Sequence, residues 1–213
     1  MLVNRYHLLK ILLLTFFIWI NPIQGTCYDN ARLLLSPMST IHPLSQGDRD
    51  QTIKLIQKYF ADSEDKVHLK LIRNDVRGSL GDPRYKKIMN NWYRDGWIKY
   101  FISKDPETQV VRAVIGLYKS KKDHKEALWI TSLVVSESAR GLGLGRALIN
   151  FAEDYALSQQ ISYLRLYTSD EPYMEPAQAL YDKMGYVITE TIPQSFNGIE
   201  TGHITYLRQK KIK

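Results

Sequence analysis

The stretch Ser138-Ala-Arg-Gly-Leu-Gly-Leu-Gly-Arg-Ala-Leu-Ile149 lies between an apolar run, Leu128 to Val135, and a helical periodicity carried by Leu144, Leu148, Phe151, Ala152 and Tyr155. A glycine-rich turn between strand and helix presents backbone N–H groups at the positive end of the helix dipole, which is a cradle for a pyrophosphate. Spacing decides which phosphate ligand fits. A Walker loop ends in Gly-Lys-Ser/Thr, whereas Gly145 is followed by Arg146 and Ala147. A dinucleotide fingerprint needs Gly-x-Gly-x-x-Gly, and counted from Gly141 and Gly143 the third glycine falls on Arg146. The plain alternative is a helix start that only turns the chain.

What fits is Arg140-x-x-Gly143-x-Gly145, preceded by Ile130-x-x-Leu133-x-Val135. This resembles the coenzyme A-binding motif, Arg/Gln-x-x-Gly-x-Gly/Ala, of the GNAT N-acetyltransferase superfamily. Ala177-Gln-Ala-Leu-Tyr181-Asp-Lys-Met-Gly185-Tyr186 resembles the second signature of that family, Ala-x-x-Leu-Tyr-x-x-x-Gly-Phe. Gly185 reads as the left-handed residue just past a helix end. The likeness covers about residues 39–208. It implies an α/β fold with a mixed, largely antiparallel twisted sheet in which strands 4 and 5 are parallel and splayed. The chain's own periodicities give the matching order β-α-α-β-β-β-α-β-α-β-β. Among them are an opening strand at Thr40 to Leu44, a breaker at Gly78 to Pro83, a turn at Lys104 to Thr108 and final strands at Tyr186 to Ile192 and His203 to Leu207.

The resemblance also implies roles. Acetyl-CoA is the expected co-substrate. Its pyrophosphate would lie on the N–H groups of Arg140, Gly141, Leu142, Gly143, Leu144, Gly145 and Arg146. Its pantetheine arm would pair with the strand Leu133, Val134 and Val135 through the main chain of Leu133 and Val135, with the Val135 N–H polarising the thioester carbonyl. Tyr181 occupies the general-acid position: a phenol with a pKa of about 10 is protonated at neutral pH, and a departing thiolate of about 8.5 needs a proton. A core aromatic is the structural alternative, and Tyr167 and Tyr173 compete for the same role. For the base, Glu126 precedes the fourth strand but sits in a charged loop, and Glu137 suits orientation of the glycine turn. Trp92, Tyr93, Trp97 and Tyr100 cluster in sequence as an acceptor shelf or as core. Asp75, Asp82 and Asp95 suit an amine or helix caps. The loop Pro193 to Gly198 is placed to cover the acceptor entrance.

With 213 residues, 44% hydrophobic and 24% charged, the chain can bury the core of one domain. One cysteine, Cys27, excludes an internal disulfide framework, and His7, His42, His68, His124 and His203 lack metal-ligand spacing. No metal is expected. The net charge of +7 favours an anionic ligand. Nucleic acid is not expected, because no recognition motif is present and much of the excess falls in Lys119 to Lys125 and in Arg208 to Lys213.

Basic residues Arg5, His7 and Lys10, the apolar run Ile11 to Ile20 and the exit Gly25-Thr26-Cys27 read as a secretory signal or an anchor. The run is short for a membrane span. Intracellular acetyl-CoA argues for action in a cytoplasm. Export into another cell, a membrane contact through residues 8–23, and a translation start at Met38 each reconcile the two. The resulting layout is a signal-like segment 1–27, a linker 28–38, the acetyltransferase domain 39–208 and a basic tail 209–213, as monomer or homodimer. The expected function is acetyl-CoA-dependent acetylation of a primary amine on a small molecule or protein. A non-catalytic acetyl-CoA-binding regulatory module is the alternative.

Overall fold

The computed structural model describes residues 40–60, 66–89, 94–196 and 199–212. Residues 1–39, and with them the signal-like segment, the linker and Met38, lie outside that set, as do Trp92 and Tyr93. The elements are β1 (Ile41–Pro43), α1 (Arg49–Phe60), α2 (Lys66–Ser79), α3 (Tyr85–Met89), β2 (Arg94–Lys104), β3 (Val111–Ser120) and β4 (Ala127–Val135), then α4 (Leu144–Ser158), β5 (Tyr163–Ser169), α5 (Glu175–Lys183), β6 (Val187–Phe196) and β7 (Ile199–Lys211). One sheet runs β1-β2-β3-β4-β5-β7-β6, with β4 and β5 parallel and the other neighbours antiparallel.

Each face of the sheet carries its own core. Leu128, Ile130, Leu133, Val135, Leu164 and Leu166 pack with α4 and α5 through Leu148, Ala152, Ala177 and Tyr181. Ile98, Tyr100, Val114, Trp129 and Val134 pack with α1 to α3 through Ile56, Ile72, Val76 and Tyr85. The first of these sets changes parity along β4, from even positions 128 and 130 to odd positions 133 and 135. Register explains it: Ser132 pairs with Gly116 and Ile130 with Leu117, leaving Thr131 as an extra residue. Such a bulge bends a strand and sharpens its twist.

Four sequence expectations change. Helix α2 runs through Gly78 to Ser79, so the break starts later than the glycine suggests. A Cβ at Gly78 would lie 2.3 Å from the Tyr85 ring; the glycine permits helix packing there. Trp97 and Tyr100 are not one cluster: Trp97 stacks on Tyr155 with 6.3 Å between centroids, and Tyr100 is buried in the opposite core. Pro193 to Phe196 belong to β6 rather than to a loop. The basic tail is also not a tail. β7 continues to Lys211, Lys210 pairs with Glu153 at 2.7 Å, and Arg208 is 2% exposed. Charge read along one dimension could not show that these cations are sheet residues.

Candidate active site

Strands β4 and β5 pair only from Ala127–Tyr163 to Trp129–Arg165. Beyond that point Leu166 to Ser169 pair with β7 alone, so a gap opens directly after the last register pair preceding the Thr131 bulge. The Ser136 N–H donates to the Arg112 carbonyl at 2.8 Å. This makes Ala113–Val135, and two residues back Ile115–Leu133, the non-hydrogen-bonded pairs of the β3–β4 ladder. The N–H and C=O groups of Leu133 and Val135 therefore point away from β3, into the gap. Val134 differs from its neighbours: its main chain is directed to β3 and its side chain is buried against α1 to α3.

The glycine turn closes one end of the gap. Gly143 caps α4 with φ of 76°, and Gly141 has φ of 75°; a Cβ on either would meet nothing within 4 Å. The left-handed backbone is what needs glycine here. The first helical bond runs from the Ala147 N–H to the Gly143 carbonyl at 3.0 Å, so the N–H groups of Leu144, Gly145 and Arg146 have no partner within the helix. Leu142 is exposed and Leu144 buried, which anchors the turn on one side only. The Arg140 Nε donates to the Val135 carbonyl at 3.4 Å, its guanidinium lies 5.0 Å from the Tyr59 ring centroid, and its Nη2 is shielded without a hydrogen-bond partner. The Arg140 N–H, expected in the same cradle, instead donates to the Glu137 carbonyl at 3.2 Å; an orphaned cationic donor beside the remaining backbone N–H groups fits an anionic phosphate ester.

Tyr181 stands on α5. The N–H of Tyr186 donates to the Tyr181 carbonyl at 2.9 Å, and that of Gly185, with φ of 81°, to the Asp182 carbonyl at 3.1 Å. These are the two bonds of a Schellman stop, whose customary apolar contact joins the same two positions. Here it is an edge-to-face pair, Tyr181 on Tyr186, with 5.4 Å between centroids. The spacing Tyr-x-x-x-Gly-Tyr is thus a helix terminator that also aims the Tyr181 ring. Burial pushes its phenol pKa well above the usual value, Tyr186 adds to this, and Arg208 opposes it.

The profile of the Acetyltransferase (GNAT) family matches residues 68–186. The chain belongs to that family. An uncharacterized N-acetyltransferase, YhdJ, of Bacillus subtilis (strain 168) is 33% identical over 84 residues, which are 38% of this chain. The matched part spans 58% of that curated relative. A solved structure from Desulfovibrio desulfuricans, assigned to the GNAT family, superposes with a TM-score of 0.63 at 10% identity and covers 81% of this chain and 98% of its own. An aminoglycoside 6'-N-acetyltransferase solved in complex with coenzyme A gives 0.57 at 16% identity, covering 81% and 97%. At such identities the likeness is one of fold. It includes the parallel β4–β5 pair expected of a GNAT sheet.

Several other residues singled out in the sequence lie elsewhere or are engaged. Tyr167 faces the opposite core and stacks on Trp129 at 5.1 Å; burial raises its pKa to about 12. Tyr173 donates to Glu171 at 2.7 Å. Glu126 pairs with Arg165 at 3.2 Å, at the closed end of the β4–β5 pair. Glu137 pairs with Lys58 at 3.4 Å, and its N–H donates to the Tyr59 hydroxyl at 3.1 Å, consistent with orienting the turn. Asp75 is buried against Arg94 and Tyr85, Asp82 pairs with Arg84 and Arg77, and Asp95 accepts the Trp97 N–H. Among the described residues no cluster of His, Cys, Asp or Glu is arranged to hold a metal, and no helix is long and apolar enough to cross a membrane. Tyr59 reads in the sequence only as part of the helical periodicity Ile53, Leu55, Ile56, Tyr59 and Phe60, and Arg94 is not singled out. Each meets the β4 region from a distant element, and no local pattern marks that contact.

Proposed function

We propose that this GNAT chain transfers an acetyl group from acetyl-CoA to a primary amine of a small molecule or protein by direct attack. The observation that carries the proposal is the continuity of the main-chain groups of Leu133 and Val135 with the open N–H groups of the glycine turn and the orphaned Arg140 Nη2. An arm of extended shape ending in a pyrophosphate matches that sequence of donors and acceptors.

Acetyl-CoA supplies the acetyl group already activated as a thioester. The N–H groups from Gly141 to Arg146, with Arg140, hold the phosphates. Leu133 and Val135 bind the pantetheine arm as an added strand would, and the Val135 N–H polarises the carbonyl. As the amine nitrogen bonds to the carbonyl carbon and the C–S bond breaks, the Tyr181 phenol gives its proton to the departing sulfur. The amine proton leaves to solvent water, and a proton from solvent restores the Tyr181 phenol once the thiol has departed. Burial keeps the phenol protonated throughout the neutral range and also makes it a weaker acid, so its proton moves only as negative charge builds on the departing sulfur.

The test is calorimetric titration of Gly143→Asp with CoA. Asp tolerates the left-handed backbone better than most residues, and its side chain enters open space, so the fold should survive by circular dichroism while binding is lost to charge repulsion. Retained affinity would overturn the placement of the site. Thiol release across an amine panel then separates the enzyme from a module that binds acetyl-CoA without turnover.

A further inference from the structure

Helix α1 belongs to the face of the sheet opposite α4, yet its last turn reaches the glycine loop. Tyr59 does two things there. Its hydroxyl oxygen accepts the Glu137 N–H at 3.1 Å, and its ring lies under the Arg140 guanidinium, 5.0 Å from the centroid. Lys58, one residue earlier, pairs with the Glu137 carboxylate at 3.4 Å. Arg140 is held from its other side by the Val135 carbonyl. The guanidinium is thereby confined between a strand end and an aromatic face, with Nη2 shielded and unpaired.

We propose that Tyr59 is a positioning residue for phosphate recognition: its ring holds the Arg140 guanidinium, and with it a fixed positive charge, at the glycine turn that takes the phosphates of the donor. The inference rests on the acetyl-CoA reading of the glycine turn. Its physical basis is that an arginine carries several rotatable bonds whose freedom must be lost on binding, and a stacking partner removes that freedom beforehand. A cation over an aromatic face is also one of the few contacts that leaves all guanidinium N–H groups available for hydrogen bonding. Glu137, drawn to Lys58, keeps its carboxylate charge balanced beside an anionic ligand.

The experiment compares two ligands on three full-length proteins. CoA and pantetheine share the thiol arm, and only CoA has phosphates. Wild type, Tyr59→Leu and Tyr59→Phe are titrated with each. Tyr59→Leu is expected to weaken CoA about three- to tenfold, the range of a partly desolvated cation–π contact, and to leave pantetheine unchanged. Tyr59→Phe keeps the ring and should restore CoA affinity to within about twofold of wild type. If Tyr59→Leu weakens both ligands equally, or neither, or if Phe behaves as Leu, Tyr59 does not position Arg140 and the proposal falls. If wild type itself holds CoA no more tightly than pantetheine, the phosphate reading of the turn fails, and the role of Tyr59 with it.

Discussion

Tyr181 has no exposed surface, and its phenol is a weaker acid than a free one because burial disfavours the phenolate. The Schellman stop fixes where the ring points, and Arg208 moderates the shift from the adjacent strand while reaching Gln178 at 2.9 Å, Asp182 and the Tyr186 carbonyl. Tyr181→Phe removes one oxygen and keeps the ring contact with Tyr186. Turnover should fall by about a hundredfold or more, the lower range for losing a general acid. CoA affinity and Tm should stay close to wild type. Steady-state kinetics with the best amine of the panel, beside calorimetry, checks this; an unchanged kcat removes Tyr181 from the chemistry.

The decisive element is β4. Its bulge at Thr131 is stabilised from the α1–α3 side: Arg94 donates to the Thr131 hydroxyl at 3.2 Å while paired with Asp75, and the Tyr100 and Ser132 hydroxyls lie 3.2 Å apart. Gly116 faces the bulge across the ladder. A Cβ there would sit 2.6 Å from Thr131 Cγ2 and 2.7 Å from the Tyr100 ring, closer than packed atoms come. Gly116→Ala should therefore cost about 1–3 kcal/mol as overpacking, lowering Tm by about 2–4 °C for each kcal/mol. Thr131→Ser deletes the methyl, keeps the oxygen for Arg94, and should recover part of the loss. Thermal melts of the single and double variants measure both effects. The bulge was visible in outline as the spacing Ile130-x-x-Leu133-x-Val135, three residues and then two, where an unbroken strand keeps two throughout. The spacing could be seen, but its cause could not, because Gly116, Tyr100 and Arg94 come from other strands.

Across the whole molecule, ion pairs join segments far apart in sequence, and one ties the β1–α1 junction to β2. Asp48 accepts from the Ser45 hydroxyl at 2.6 Å and the Lys104 ammonium at 3.2 Å. Burial works to raise its pKa, but these partners outweigh burial and hold it below the usual carboxylate value. A carboxyl lowered in the folded state adds stability that is present at neutral pH. That stability is lost as pH falls below the unfolded value of about 3.9 and through the folded one. Asp48→Asn should therefore lower Tm at pH 7, with the difference from wild type shrinking toward pH 3. A pH series of melts tests it, and a difference independent of pH would mean that the charge is not what matters.

Sequence alone determined the family, the order of the seven strands, the glycine turn and the helix stop that carries Tyr181, because each is a local backbone requirement written in consecutive residues; the short α3 (Tyr85–Met89) is additional to the expected order. A left-handed glycine, a helix start without a side-chain cap and a change of apolar parity all act within a few positions. The resemblance had named the main chain of Leu133 and Val135, and the tertiary structure supplied the reason, since hydrogen-bond direction in β4 depends on its register with β3. Packing also made Arg208 a core residue and separated Trp97 from Tyr100, because burial depends on what the rest of the chain places opposite a side chain. It brought Tyr59 to Arg140 across 81 positions. Such contacts leave no periodicity to read, and the site is built where they meet the local signals.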